Sequence, residues 1–165
     1  TPSRTSAAAA RSPSPMASSP LDRAIRLALI AHEGQEDWCG RPFILHPMRV
    51  GMALLPAGLA CEGVLHDSVE DSGGLVTAEM ISNSCGPLVA FTVGLLTHAR
   101  GVSYDTYIGD VSRYRDATLV KLADLADNLA PDRCMVDNEG RVASLVKHAK
   151  ALQFLREHAQ TRGWI

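Results

Sequence analysis

The sequence predicts an all-α protein with one folded domain. From Leu21 onward the apolar residues recur at helical spacing, and no alternating strand pattern runs for more than about four residues. The chain carries no internal repeat and no glycine-rich phosphate loop. A length of 165 residues with 46% hydrophobic content suits one domain with its own core and argues against two.

Caps, glycines and prolines indicate where the helices begin and end. Ser18 or Ser19 would cap a first helix that begins near Leu21, and Gly34 would end it. After a polar loop, a second helix would start at His46, with a proline in its first turn. The predicted helices, in order, cover 21–33, 46–55, 59–69, 77–83, 87–97, 104–111, 117–129 and 142–156.

The beginning of the chain differs in composition from the rest. Residues 1–15 are rich in Ala, Ser, Pro and Arg, and no acidic residue occurs before Asp22. We therefore expect residues 1–17 to be a disordered N-terminal segment and residues 18–165 to form the folded domain. We favour Met16 as the natural start, and an organellar transit peptide is the alternative.

Composition also narrows the class of partner. A formal net charge of −2 and a pI near 6.3 give no reason to expect binding to nucleic acid or to a membrane surface. We expect a small-molecule partner or another copy of the chain. Cys39, Cys61, Cys85 and Cys134 form no CxxC pair, which favours reduced thiols in a cytoplasmic setting. No apolar run approaches the ~18 residues that span a bilayer, which predicts a soluble protein.

Four residues have the spacing of a hydrolytic metal site. His66 and Asp67 are adjacent, His46 lies 20 residues before His66, and Asp124 lies 57 residues after Asp67. Imidazole and carboxylate together suit Mn²⁺, Fe²⁺ or Zn²⁺, and the lack of thiolates argues for a site with open positions over a closed structural zinc site. The alternative is a purely structural role for His66 and Asp67.

Two further acidic residues follow one helical turn later. In an uninterrupted helix, His66 and Glu70 form one i,i+4 pair and Asp67 and Asp71 form another, so the four side chains lie in two adjacent rows on one face. Burying three carboxylates together without a cation costs several kcal/mol. This helix therefore predicts a bound metal.

A later helix supplies the remaining polar candidates. Asp124 and Asn128 are i,i+4, so the carboxylate can reach the metal while the amide faces a ligand one turn further on. Lys121 either neutralises a phosphate or is merely solvated. We expect His32 to have a structural or supporting role and Asp127 to point to a neighbouring face. Three histidines show no partner spacing and are expected at the surface or in the core: His98, His148 and His158.

Several sequence blocks, taken together and in this order, resemble the RelA/SpoT-type HD hydrolases. They are AHEGQ at 31–35, GRPFILHP at 40–47, LHDSVEDS at 65–72, and VKLAD at 120–124 followed by Asn128. The resemblance runs from about Leu21 to Arg156. It implies an HD-domain helical bundle that binds one Mn²⁺ ion through four ligands, His46, His66, Asp67 and Asp124.

The resemblance also implies an activity. The family hydrolyses the 3′-pyrophosphate of the alarmone ppGpp, which gives GDP and pyrophosphate. Glu70 and Asp71 match the family's catalytic acidic pair, and Asn128 matches its nucleotide-contacting Asn. The pair would orient and deprotonate water, while the metal makes that water more acidic and offsets phosphate charge. No synthetase domain fits after the matched region, so we expect a stand-alone small alarmone hydrolase, similar in layout to the metazoan SpoT homologue.

One loop departs from the family pattern. The alarmone hydrolases carry a basic residue two positions after the glutamine that matches Gln35, whereas this chain has Asp37. An Asp cannot replace a cation near phosphates, although Trp38 can stack on a purine and Arg41 can supply charge from nearby. If the loop has changed its substrate, Asp37→Arg should improve ppGpp turnover.

Other functions stay open beside ppGpp hydrolysis. The enzymatic alternative is a phosphatase for another nucleotide, such as NADPH losing its 2′-phosphate. The non-enzymatic alternative is a metal- or nucleotide-binding sensor. Retention of both Glu70 and Asp71 speaks against a sensor, because a binding protein needs the metal ligands and not the acidic pair. The sequence is compatible with a homo-oligomer.

Overall fold

The computed structural model describes residues 18–133 and 139–165, and within those ranges the regular structure is helical, apart from one isolated β-bridge. The prediction of an all-α fold is confirmed. The predicted disordered segment, residues 1–17, lies outside the described residues. The α-helices are α1 (Pro20–Ala31), α2 (Leu45–Ala53), α3 (Ala60–Leu65), α4 (Ser68–Asp71), α5 (Ala78–Cys85), α6 (Pro87–Leu96), α7 (Tyr104–Val111), α8 (Arg115–Asn128) and α9 (Glu139–Thr161).

The start of α1 agrees with the cap that the sequence predicted. Ser19 is the cap residue: its hydroxyl accepts from the Asp22 N–H at 3.1 Å, and the Asp22 carboxylate accepts from the Ser19 N–H at 2.8 Å. This reciprocal capping box satisfies two N–H groups that the helix leaves without partners. The helix ends at Ala31, before the predicted Gly34, because His32 already closes its last turn through Ala28.

The predicted third helix is divided in two. α3 ends at Leu65 and α4 begins at Ser68, with His66 and Asp67 between them. The expectation of one uninterrupted helix is wrong. The His66 ring nitrogen Nδ1 lies 2.8 Å from the Gly63 carbonyl, an acceptor that a continuing helix would use for its own backbone. A side chain thus replaces a backbone donor at the break.

Two glycines bring α2 and α3 into close contact. A Cβ added to Gly51 would lie 2.4 Å from Val64 Cγ2, and one added to Gly63 would lie 2.8 Å from the Gly51 Cα. Because neither position has room for a side chain, the two helix backbones approach each other directly. This contact sets the spacing between His46, on α2, and His66, at the end of α3.

Two hydrophobic clusters hold the bundle together. One joins α2, α6, α7, α8 and α9 around residues such as Val120 and Leu155, and the other joins α1, α3, α5 and α6 around residues such as Leu65 and Ile81. The helices that carry the predicted metal ligands come from both clusters, so the centre lies where the two clusters meet. Among the described helices, none combines the length and apolar character that crossing a membrane requires.

Candidate metal centre

His46 is buried and its ring is fixed from one side. Only 2% of the residue is exposed, and its Nδ1 lies 2.7 Å from Asp127 Oδ2. Since a carboxylate only accepts, Nδ1 carries a proton, which leaves Nε2 as the ring nitrogen that can bind a metal. Nε2 faces Asp124 Oδ1 at 3.1 Å and Asp67 Oδ2 at 3.6 Å. A carboxylate that orients a histidine in this way is typical of metal ligands.

His66 is oriented in the same manner by a backbone group. Its Nδ1 donates to the Gly63 carbonyl, and its buried Nε2 has no hydrogen-bond partner among the described residues. Nε2 lies 3.0 Å from Asp67 Oδ2 and 3.5 Å from Asp124 Oδ1. Burial opposes protonation of His66, but the nearby carboxylates more than offset it and raise its pKa to about 10. The carboxylates thus attract a positive charge to this point.

Asp124 lies on α8 and is held by two neighbours. Asn128 Nδ2 donates to its Oδ1 at 2.6 Å, and Lys121 Nζ lies 2.6 Å from its Oδ2. Burial opposes ionisation, yet the Lys121 ammonium and the two imidazoles hold the pKa of Asp124 well below its usual range. The charge of Lys121 is therefore already paired, and Asn128 supports a predicted ligand as well as facing the cavities described below.

These side chains fit a divalent cation. One ligand atom each from His46, His66 and Asp67 lies within 4.8 Å of the others, and Asp124 Oδ1 lies next to both imidazoles. Two oriented imidazole Nε2 atoms with two carboxylates form a mixed donor set that suits Mn²⁺, Fe²⁺ or Zn²⁺, and the metal would replace the proton that His66 holds without it. A cation there would relieve the repulsion between two carboxylates in a largely buried place.

The two residues of the acidic pair on α4, Glu70 and Asp71, make different contacts. Asp71 keeps helical spacing from Asp67, because its N–H donates to the Asp67 carbonyl at 2.9 Å. Asp71 is exposed, but partial desolvation of its carboxyl group, together with the Asp67 and Glu70 carboxylates, raises its pKa to about 6. Glu70 Oε2 instead accepts from the His98 N–H at 2.9 Å. The Asp71 carboxyl therefore ionises near pH 6, while the Glu70 carboxylate is held by a backbone N–H in the segment before α7.

Two cavities flank the predicted ligands. The loop cavity, about 360 Å³, is lined by Asp37, Trp38, Phe43, His46, Arg133 and neighbouring residues. The lysine cavity, about 210 Å³, is lined by Tyr104, Tyr107, Lys121, Lys147, His148 and neighbouring residues. Asp67, Asp71 and Asn128 line both. A molecule that occupied the two cavities together would pass over the predicted ligands.

Asp37 organises the loop that departs from the family pattern. Its Oδ1 accepts from the Cys39 N–H at 2.9 Å and the Arg41 N–H at 3.0 Å, and its Oδ2 pairs with Arg41 Nε at 3.1 Å. The loop also closes through a β-bridge between Glu36 and Pro42. Arg41, predicted to supply charge from nearby, is thus paired with Asp37. Trp38 is 56% exposed at the cavity wall, with the Arg141 guanidinium 6.0 Å from its ring centre.

The sequence analysis did not place two residues, Asp127 and His148, at the site. Asp127 was expected to point to a neighbouring face, yet it contacts His46, Arg49 and Arg133. Its spacing of three residues from Asp124 on one helix was the available signal. His148 had no partner spacing in the sequence, but α9 brings it to the lysine cavity.

His32 takes the supporting role expected of it. Its Nδ1 lies 2.9 Å from Gln35 Oε1, and Gln35 Nε2 donates to the Asp71 carbonyl at 2.9 Å. These bonds connect the end of α1 with the end of α4, and so with the acidic pair.

Comparison with protein-family models gave no match. Part of the chain is similar to plant proteins named "Putative GTP diphosphokinase RSH1, chloroplastic". The protein from Oryza sativa subsp. japonica is 44% identical over 70 residues, and the one from Arabidopsis thaliana is 38% identical over 77 residues. The matches cover 40% and 44% of this chain but 8% and 9% of the plant proteins. This chain therefore matches less than a tenth of the length of these relatives.

A solved structure matches nearly the whole chain. It is that of a metazoan orthologue of SpoT, described as hydrolysing ppGpp and acting in starvation responses. The match covers 92% of this chain and 100% of the other, with a TM-score of 0.68 and 22% sequence identity. The chain therefore has the helical HD-domain fold of that SpoT orthologue, and the resemblance to RelA/SpoT-type proteins that its sequence blocks indicated is confirmed.

Proposed function

We propose that this protein is a metal-dependent phosphohydrolase that cleaves ppGpp to GDP and pyrophosphate. One observation carries the proposal: two oriented imidazoles and two carboxylates converge between two cavities, with a further acidic pair beside them. The fold shared with a SpoT orthologue described as hydrolysing ppGpp supports this choice of substrate.

In this proposal His46, His66, Asp67 and Asp124 hold Mn²⁺. When bound, the ion would lower the pKa of water and offset negative charge on the attacked phosphate. Asp127 and the Gly63 carbonyl keep both imidazole lone pairs directed inward.

The acidic pair then divides two tasks. Asp71 takes the proton from the attacking water, because its carboxylate borders both cavities. Glu70, held by the His98 N–H, helps to orient that water. Trp38 offers a flat apolar surface for the purine in the loop cavity, and Asn128 and Lys121 keep Asp124 ionised and in place.

Product analysis tests this function directly. Mn²⁺-loaded protein is incubated with ppGpp, with NADPH in a parallel reaction, and the products are separated by ion-exchange chromatography. We expect GDP and pyrophosphate from ppGpp. Asp67→Ala should abolish their release, whereas Asp110→Ala, at a largely exposed carboxylate on α7, should not.

The other outcomes identify the alternatives. Release of phosphate from NADPH without ppGpp turnover would reject the alarmone and assign a nucleotide phosphatase, consistent with the unusual Asp37 loop. Turnover of neither substrate by protein that binds Mn²⁺ would reject both and favour the sensor.

A further inference from the structure

The lysine cavity contains one lysine, Lys147, that pairs with no carboxylate of the described residues. Lys147 Nζ lies 4.4 Å from the centre of the Tyr104 ring, and no described carboxylate lies within 4.0 Å of it. Lys121, in the same cavity, pairs with Asp124 at 2.6 Å. The two lysines therefore differ: Lys121 stabilises the predicted metal ligand, and Lys147 has no carboxylate partner in the described part of the chain and stays available to a ligand.

Two residues that line the same cavity, Tyr104 and His148, each have a buried polar atom. Tyr104 Oη and His148 Nδ1 are inaccessible to solvent and have no hydrogen-bond partner among the described residues. Nearly all buried polar atoms in folded proteins have partners, so two without one at the same cavity require an explanation. Their rings are 6.3 Å apart, which allows one small molecule to contact both.

The size and the charges of the cavity indicate a compact anion. Its volume of about 210 Å³ is smaller than the 360 Å³ of the loop cavity, which also has the aromatic wall. A phenol, an ammonium and an imidazole can all donate hydrogen bonds to phosphate oxygens. The carboxylates that also border the cavity, Asp67, Glu70, Asp71 and Asp124, are the predicted metal ligands and acidic pair. Bound metal and Lys121 would offset their repulsion.

We propose that Lys147, Tyr104 and His148 form a subsite for the phosphate chain that hydrolysis releases, with the nucleoside in the loop cavity. This inference rests on the proposed function, because it places the scissile bond over the residues that line both cavities. The water oxygen bonds to the phosphorus next to the ribose, and the bond from that phosphorus to the ribose oxygen breaks. The water proton passes to Asp71, the ribose oxygen takes a proton from solvent, and pyrophosphate remains in the lysine cavity.

Pyrophosphate binding tests the subsite without requiring turnover. The affinity of Mn²⁺-loaded protein for inorganic pyrophosphate, and separately for inorganic phosphate, is measured by titration calorimetry. We expect Lys147→Gln to weaken pyrophosphate binding about tenfold, since it removes a charge-assisted hydrogen bond. Tyr104→Phe should weaken it severalfold, and Lys147→Arg should retain most of the affinity. Phosphate, which reaches fewer donors, should bind more weakly and depend less on Lys147.

Matched measurements separate this role from a structural one. Lys150→Gln removes an exposed lysine one turn along α9 and should leave pyrophosphate affinity unchanged. If Lys147 only packs on Tyr104, Lys147→Gln would lower the melting temperature without changing pyrophosphate affinity, and the subsite would be rejected.

The subsite and the proposed function can fail separately. Lys147-dependent pyrophosphate binding by a protein that hydrolyses no nucleotide would support the subsite and reject the hydrolase. Hydrolysis of ppGpp by a protein whose pyrophosphate affinity is unchanged in Lys147→Gln and Tyr104→Phe would support the hydrolase and reject the subsite.

Discussion

The two cavities beside the metal centre differ in how their charged groups are satisfied. In the loop cavity two of the charged side chains are held in internal pairs: Asp37 binds Arg41, and Arg133 binds Asp127. In the lysine cavity Lys147 has no carboxylate partner among the described residues, and Tyr104 and His148 each have a buried polar atom without one. Internal pairs fix the shape of one cavity, while the groups without partners leave the other able to bind an anion.

The largest effect on activity is expected from a substitution of Asp71, which lines both cavities. Asp71→Asn removes the proposed base and should reduce kcat about 10²- to 10⁴-fold while Mn²⁺ affinity is retained. Steady-state kinetics and a metal titration measure the two effects. Without metal the pKa of Asp71 is raised to about 6, partly by the Asp67 carboxylate whose charge Mn²⁺ would offset, so the ionised base should be lost and wild-type activity should fall as pH drops below about 6. Full activity in Asp71→Asn would transfer the role to Glu70.

A smaller effect is expected from the side of the loop cavity that supports His46. Asp127→Asn weakens the acceptor of the His46 Nδ1 proton and should reduce Mn²⁺ affinity about 10- to 100-fold, measured from free Mn²⁺ by electron paramagnetic resonance. Arg49→Gln removes another partner of Asp127 but keeps the imidazole bond, so its effect should be smaller. Equal losses in the two variants would argue that Asp127 acts through loop packing.

Trp38 distinguishes the loop cavity from the lysine cavity. Trp38→Ala should raise KM for the nucleotide about tenfold with little change in kcat, because it removes stacking on the base and leaves the reacting groups intact. Trp38→Phe should recover much of the loss. Pyrophosphate affinity should be unchanged in both variants, since that ligand is assigned to the other cavity. A parallel loss of pyrophosphate affinity would show that the cavities do not act separately.

Glu62 shows what burial of a carboxylate costs away from the metal centre. It is 8% exposed, and burial, with Asp116 nearby, raises its pKa. A raised pKa favours the folded protein below the ordinary pKa, and this advantage is lost as pH rises through the folded value. Glu62→Gln should therefore raise Tm by about 2–4 °C at pH 7.5 and leave it unchanged at pH 4, measured by thermal melting. Glu79→Gln, at an exposed glutamate, is the control.

The structure also changes how the Asp37 substitution should be interpreted. The sequence alone suggested that Asp37→Arg would restore a cation and improve ppGpp turnover. Asp37 accepts two backbone N–H groups and pairs with Arg41, so the substitution would also remove the bonds that shape the loop. Failure of that variant to improve turnover would therefore not identify the substrate, and the ppGpp and NADPH reactions are the direct test.

The sequence by itself determined the helical class, the cap at Ser19 and the set of residues proposed as metal ligands, because these depend on spacing within one or two turns and on residue chemistry. It did not predict the break between α3 and α4, since that depends on the His66 ring reaching the Gly63 carbonyl. Only the tertiary structure placed Asp127 on His46, 81 residues away in sequence, and brought α9 with Lys147 and His148 to the lysine cavity. Such contacts depend on how whole helices pack, here through Gly51 and Gly63, and local periodicity carries no information about that packing.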